Sequence, residues 1–89
     1  MEDHKTHDQL LNEIEEAKKK VELGLTYVHY KDAKKLYKPI RFGTLEANDE
    51  LCVIYEAQYG PGLTFIRPVK EWVESINWNG RLVKRFKKI

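Results

Sequence analysis

Few residues in this chain have both the type and the spacing that chemistry needs. His4, His7 and Asp8 carry metal-ligand atoms, and a three-residue step lets two side chains share one helix face. No cysteine or further histidine stands near them, so a frayed, solvated terminus is the expectation and no metal site is assigned. His29 is the only histidine in the folded region. A general base needs a nucleophile or an acid within hydrogen-bond reach, and no motif supplies either. A structural hydrogen bond is its plain reading, with ligand contact second. Gly60-Pro61-Gly62 precedes a strand pattern rather than a helix, so it is a turn and no phosphate loop. Cys52 has no neighbouring charge to stabilise a thiolate and reads as a small buried residue. These residues describe a chain without catalytic chemistry, metal or cofactor.

Binding is the better case. Tyr27, Tyr30, Tyr55, Tyr59, Phe65, Trp72 and Trp78 are many large aromatics for so short a chain. Most must form core, and a minority can line a groove for a peptide or for nucleic-acid bases. Arg67 follows Phe65 by two residues in Leu63–Trp72, LTFIRPVKEW, so both side chains leave the same side of a strand. If that side is partly buried, Arg67 needs acceptors: backbone carbonyls, Glu56 or Glu71, or an incoming anion. Bracing of a corner is the favoured reading and ligand contact the alternative. The ligand-contact candidates are Tyr27, His29, Tyr55, Tyr59, Arg67 and Trp72. A small-molecule or enzymatic pocket around His29, Tyr55 and Arg67 is a distant third reading.

Charge adds a second binding candidate. The net charge is only +2, yet residues 1–24 carry −3 and residues 25–89 carry +5. Ten of the twelve bases in the second part fall in two stretches. Lys31, Lys34, Lys35, Lys38 and Arg41 form one; Arg81, Lys84, Arg85, Lys87 and Lys88 form the other. If the first and last strands are neighbours, both merge into one patch for nucleic acid. The plain alternative is that these lysines solvate a sheet edge and deter strand-to-strand aggregation.

The elements that position these residues follow from pattern. Eighty-nine residues make one small domain, with a core too small for a deep multilayered cleft. A hydrophobic share of 42% and a charged share of 34% describe a soluble domain. No apolar run is long enough for a membrane span, the terminus is no signal peptide, and the lone Cys52 fits a reducing, cytoplasmic setting. Thr6-His7-Asp8-Gln9 is a capping box, and Leu10, Ile14, Ala17 and Val21 share one helical face. Gly24 then supplies a left-handed helix cap. Docking of this helix on the domain is the expectation, and a dimer through it the alternative.

After Gly24 the period becomes alternating. Residues 25–30, 36–45, 51–59 and 63–67 read as strands, with turns at KDAK and EANDE. Pro39 makes the second of these bent or an edge. Leu51, Val53, Tyr55, Ala57 and Tyr59 alternate onto one face. Pro68 opens a single helical turn through Trp72. Asn79-Gly80 predicts a tight hairpin that sets Trp78 opposite Arg81, Ile76 opposite Val83, Glu74 opposite Arg85 and Val73 opposite Phe86. The predicted class is mainly β, α+β: a small antiparallel barrel or roll over residues 25–89, with a helical extension over residues 1–24.

From Tyr27 to Phe86 the chain also resembles a bacterial family, domain of unknown function 1653. The matching residues are Tyr27-x-His29-Tyr30-Lys31, Tyr37, Leu51-x-Val53-x-Tyr55, Tyr59-Gly60, Phe65-Ile66-Arg67-Pro68, Gly80 and Arg85-Phe86. The resemblance implies an SH3-like barrel or roll and names no activity. Three departures stand out. Thr44-Leu45-Glu46-Ala47-Asn48 replaces a polar run resembling Arg-His-Ser-Glu-Thr; Phe65 replaces a tryptophan; and Lys84 replaces a proline. The functional expectation is a non-catalytic binding module for a protein or peptide, with nucleic acid as the alternative.

Overall fold

A computed structural model describes residues 4–89. Thr6 caps helix α1 (His7–Lys18): its hydroxyl accepts the Gln9 N–H, and the Gln9 side chain accepts the Thr6 N–H. The predicted stripe faces inward, with Leu10 and Ile14 half-buried and Ala17 and Val21 buried. The helix stops earlier than expected. Gly24 is left-handed (φ 83°) but lies beyond a short turn, and its N–H donates to the Pro39 carbonyl instead of capping α1. The turn drops Val21 into the core beside Tyr27, whose hydroxyl accepts the Glu22 N–H at 2.9 Å. His4 is not frayed. Its Nδ1 lies 3.0 Å from Asp49, which also accepts the Lys5 N–H, so this segment is tied to the turn after residue 45.

Seven strands follow: β1 (Tyr27–His29), β2 (Asp32–Leu45), β3 (Glu50–Ala57), β4 (Thr64–Pro68), β5 (Ser75–Trp78), β6 (Arg81–Lys84) and β7 (Phe86–Lys88). A one-turn helix, α2 (Val69–Trp72), follows Pro68 as expected. Every pairing is antiparallel. The main sheet runs β4-β3-β2-β1-β7, and β5-β6 form a separate ribbon. The molecule is therefore mainly β with one N-terminal helix, as predicted. Its main sheet is open: hydrogen bonding ends at β4 on one side and β7 on the other.

Two strands differ from their predicted extent. KDAK is mostly strand, because His29 pairs directly with Asp32 across a two-residue turn and β2 begins there. Pro39 sits inside β2, where β1 has already ended: Tyr27 is the last β1 residue opposite β2, across from Tyr37. Its missing N–H therefore breaks no ladder, and a register shift between Pro39 and Arg41 bends the strand.

The register puts one set of side chains on one face. Tyr27 lies opposite Tyr37, His29 opposite Phe86, Tyr55 opposite Phe65 and Val53 opposite Arg67. This face curls, since the Phe86 ring on β7 meets both Tyr55 on β3 and Tyr37 on β2. Val21, Tyr27, Val53, Tyr55, Trp72 and Phe86 form its core. Trp72 and Phe86 stack at 3.8 Å with 9° between their planes, and Tyr55 and Tyr27 meet Trp72 edge-on.

Candidate functional site

Tyr27, Tyr55 and Trp72, three of the ligand-contact candidates, belong to this core. They are 5%, 6% and 2% exposed, which leaves them to support a surface rather than present one. Tyr59 escapes the stripe predicted for it. The strand ends at Ala57, and Tyr59 emerges half-exposed, its hydroxyl 2.8 Å from that of Tyr37. Burial, followed by this contact, raises the Tyr37 phenol well above its ordinary value.

Around the outer rim of the core lie His29, Tyr37, Tyr59, Phe65 and Arg67. Arg67 reaches over the Phe86 ring, 5.8 Å from its centroid, and one guanidinium nitrogen donates to Glu71 at 3.3 Å. Glu71 follows Arg67 by one turn into α2, so local chain geometry delivers it; Glu56 faces the other side of the sheet, opposite Lys38. Nε of Arg67 is out of solvent and has no partner among the described residues. Leaving such a donor unpaired costs on the order of 1–3 kcal/mol.

His29 meets the same Phe86 ring edge-on at 5.2 Å. Its Nδ1 accepts the Lys31 N–H at 3.2 Å, which makes Nε2 the protonated nitrogen of the neutral ring. Burial lowers its pKa, and the charges of Arg67, Arg85 and Lys31 lower it further. The rim is therefore rich in donors: a guanidinium, a neutral imidazole N–H and the one hydroxyl proton that the Tyr37–Tyr59 bond leaves over. One half-exposed carboxylate, Glu71, offsets them. Chemically this arrangement suits an acceptor, a carboxylate above all, beside an apolar side chain. On its other side His29 borders a cleft of about 500 Å³ with Tyr30, Trp78, Leu82, Lys84 and Lys87.

Trp78 faces Arg81 and Ile76 faces Val83 in the β5–β6 ribbon, on a turn whose Asn79 and Gly80 both have positive φ. Arg85 lies across from Glu74, as predicted: its N–H donates to the Glu74 carbonyl and its guanidinium to the Glu74 carboxylate at 2.7 Å. Its Nε also donates to the Glu71 carbonyl at 3.1 Å. Beyond it the register prediction fails. The chain bends at Arg85, and Phe86 pairs with His29 in the main sheet rather than with Val73.

The basic clusters become neighbours in part. β1 pairs with β7, so Lys87 shares the outer sheet face with Val28 and, one strand on, Leu36 between Lys34 and Lys38. Other members are diverted. Arg85 is held internally, Lys88 pairs with Glu22, Lys31 and Lys35 lie over the rings of Tyr30 and Tyr59, and Arg81 sits at the ribbon tip. Arg41 is farther along β2, opposite Ile54. Lys84 and Lys87 also join Lys19 and Lys20, from the turn after α1, around a cleft of about 740 Å³.

Cys52 is buried, and burial raises its thiol pKa, so it is a packing residue. No helix among the described residues is long and apolar enough to cross a membrane.

Taken together, these features define a small α+β protein with a curled, open antiparallel sheet and a cationic aromatic rim. Its sequence matches, over residues 25–88, the family described as protein of unknown function (DUF1653), and the chain belongs to that family. A crystal structure of a DUF1653 protein from Bordetella bronchiseptica is similar, with a TM-score of 0.64 and 26% identity. The similarity covers 72% of this chain and 82% of that one. No curated protein matches the chain.

Proposed function

We propose that this protein is a non-catalytic binding module that takes a protein or peptide segment at the rim formed by His29, Tyr37, Tyr59, Phe65 and Arg67. The observation that carries this reading is the state of Arg67. Its charge is permanent, its one acceptor is the half-exposed Glu71, and its Nε has none. A peptide carboxylate adds an acceptor for the exposed part of the guanidinium, and the exposed faces of Phe65 and Tyr59 receive an adjacent apolar side chain. Ala17 and Val21 of the helical stripe are buried within the chain itself, which supports a module that works as a monomer over one that dimerises through the helix. A single buried thiol suits work in the cytoplasm.

Amide-shift titration of the ¹⁵N-labelled chain with a pool of acidic and apolar peptides tests this reading. Shifts should gather at His29, Tyr59, Phe65 and Arg67, and Arg67→Ala should abolish them. Saturable binding that is unchanged by Arg67→Ala would sink it.

One observation favours nucleic acid as a second reading: β1 against β7 brings Lys87 within two strands of Lys34 and Lys38. Binding to labelled RNA or DNA would then weaken steeply with salt. No affinity at low ionic strength would remove it.

A further inference from the structure

β7 ends the main sheet, and its backbone has two sides. Toward β1, the Arg85 carbonyl accepts the Tyr30 N–H and the Ile89 N–H donates to Thr26. Antiparallel alternation then turns the N–H and C=O of Phe86 and Lys88 the other way, to the open edge. Among the described residues neither makes a backbone hydrogen bond outside the β1 ladder. An open edge of this kind is a template for another strand.

The edge does not face bulk solvent. The 740 Å³ cleft lies along it, walled by Val73 and by five lysines, Lys19, Lys20, Lys84, Lys87 and Lys88, with Glu22 the one acid. Those lysines come from the turn after α1, from β6 and from β7, segments that include widely separated parts of the sequence. Lys19 is paired with Glu16 and Lys88 with Glu22; Lys20, Lys84 and Lys87 have no ion pair among the described residues. Glu22 already shows a carboxylate seated against Lys88 at this edge.

The opposite edge is different. On β4 the outward positions are Thr64, Ile66 and Pro68, because the Ala57 N–H donates to Leu63 and the alternation follows from there. Pro68 has no N–H to offer, and Ile66 is 66% exposed. One edge is blunted by proline. The other is open, concave and cationic.

We propose that the β7 edge accepts an extended acidic segment of a partner protein as an added β-strand. The backbone of Phe86 and Lys88 supplies the pairing, and the lysine walls select carboxylates at alternate positions. A nucleic-acid backbone offers phosphate acceptors but no matching N–H donors, so it leaves the Phe86 and Lys88 carbonyls unpaired. A second copy of this chain fits poorly, since its acidic residues 13–16 are helical. The edge lies apart from the Arg67 rim, on the other side of Phe86, so the two proposals fail separately.

The test uses the full chain and three synthetic probes: the hexapeptide Glu-Val-Glu-Val-Glu-Val with blocked ends, the same peptide N-methylated at alternate residues, and a single-stranded RNA hexamer. Binding is read by amide shifts and hydrogen-exchange protection. The plain peptide should bind and protect the Phe86 and Lys88 amides. N-methylation on the pairing side should remove binding while leaving every charge in place. Lys20→Glu with Lys84→Glu should weaken it roughly tenfold or more. The proposal is overturned if the methylated peptide binds equally well, if protection is absent at Phe86 and Lys88, if shifts map to the Arg67 rim alone, or if only RNA binds.

Discussion

Two arginines stand near the Trp72–Phe86 stack, and both use Glu71. Arg85 donates Nε to the Glu71 carbonyl and a terminal nitrogen to Glu74. Arg67 donates once, to the Glu71 carboxylate, and keeps a buried Nε without a partner. Their settings are alike: each is at a corner, and each is partly buried, 19% and 28% exposed at the side chain. The difference lies in the acceptors that the chain provides. Arg85 ties α2 and the loop after it to the start of β7 through two of its three nitrogens, and acts as a brace. Arg67 has one partner for three nitrogens, with donor-bearing neighbours in place of acceptors. A guanidinium in the first state stabilises the fold; one in the second holds capacity for something else.

Substitutions test that contrast, starting with the wall that the two corners share. Trp72→Ala should cost about 3–5 kcal/mol, since it empties a site 2% exposed and removes the stack on Phe86. Urea unfolding read by fluorescence of the remaining Trp78 measures it. A cost below about 1 kcal/mol would mean that the stack does not anchor either corner. Next, Arg85→Met should cost about 1.5–3 kcal/mol, most of it from the Glu71 carbonyl, because the Glu74 carboxylate is half-exposed and its share is small.

Arg67→Met is expected to stay within about 1 kcal/mol of the parent, or to exceed it in stability. Methionine keeps the contact over Phe86 and takes away an unpaired buried donor. Glu71, 45% exposed, is left in water at little cost. If Arg67→Met destabilises as much as Arg85→Met, the two arginines are both braces and the functional reading of the rim loses its support.

Much of this was legible before any coordinates. The capping box at Thr6-Gln9, the ribbon register from Asn79-Gly80, the Glu74–Arg85 pair and Glu71 as an acceptor for Arg67 all follow from local spacing. Alternation also placed Leu51, Val53, Tyr55 and Ala57 on the buried face. What was hidden depends on contacts between distant segments. Nothing near Trp72 shows that Phe86 will stack on it, so its burial could not be read from its own helix turn. Phe86 was assigned to the ribbon because a hairpin pattern continues through Arg85 without marking the bend that sends β7 to β1. Likewise His4 reads as solvated until Asp49 is known to lie beside it, and nothing in the local pattern sets Lys19 and Lys20 against β7. Periodicity reports which face a residue takes. It does not report what the curled sheet brings against that face.

The smallest expected effect concerns His29, which senses the same contrast through charge. Burial and the positive charges of Arg67, Arg85 and Lys31 lower its pKa below the ordinary 6.5, so the folded protein holds this proton less tightly than the unfolded chain. Between the lowered value and 6.5 the unfolded state binds more protons, so stability rises with pH through that window and is lost as pH falls. The Nδ1 bond from the Lys31 N–H acts in the same direction, because a protonated ring cannot accept it. Asp49 contributes in a separate window. Its carboxylate, held low chiefly by the Lys5 N–H, loses its contribution only below its ordinary 3.8. Urea midpoints between pH 5 and pH 7.5 should therefore climb modestly, and His29→Gln should flatten the climb. Replacing each arginine in turn refines the comparison: Arg67→Met should flatten the slope more than Arg85→Met, because Arg67 lowers the His29 pKa more and its ion pair with Glu71 is longer, 3.3 Å against 2.7 Å for Arg85 with Glu74. Equal flattening by both would place the two arginines on the same electrostatic footing and remove the distinction drawn from their hydrogen bonds.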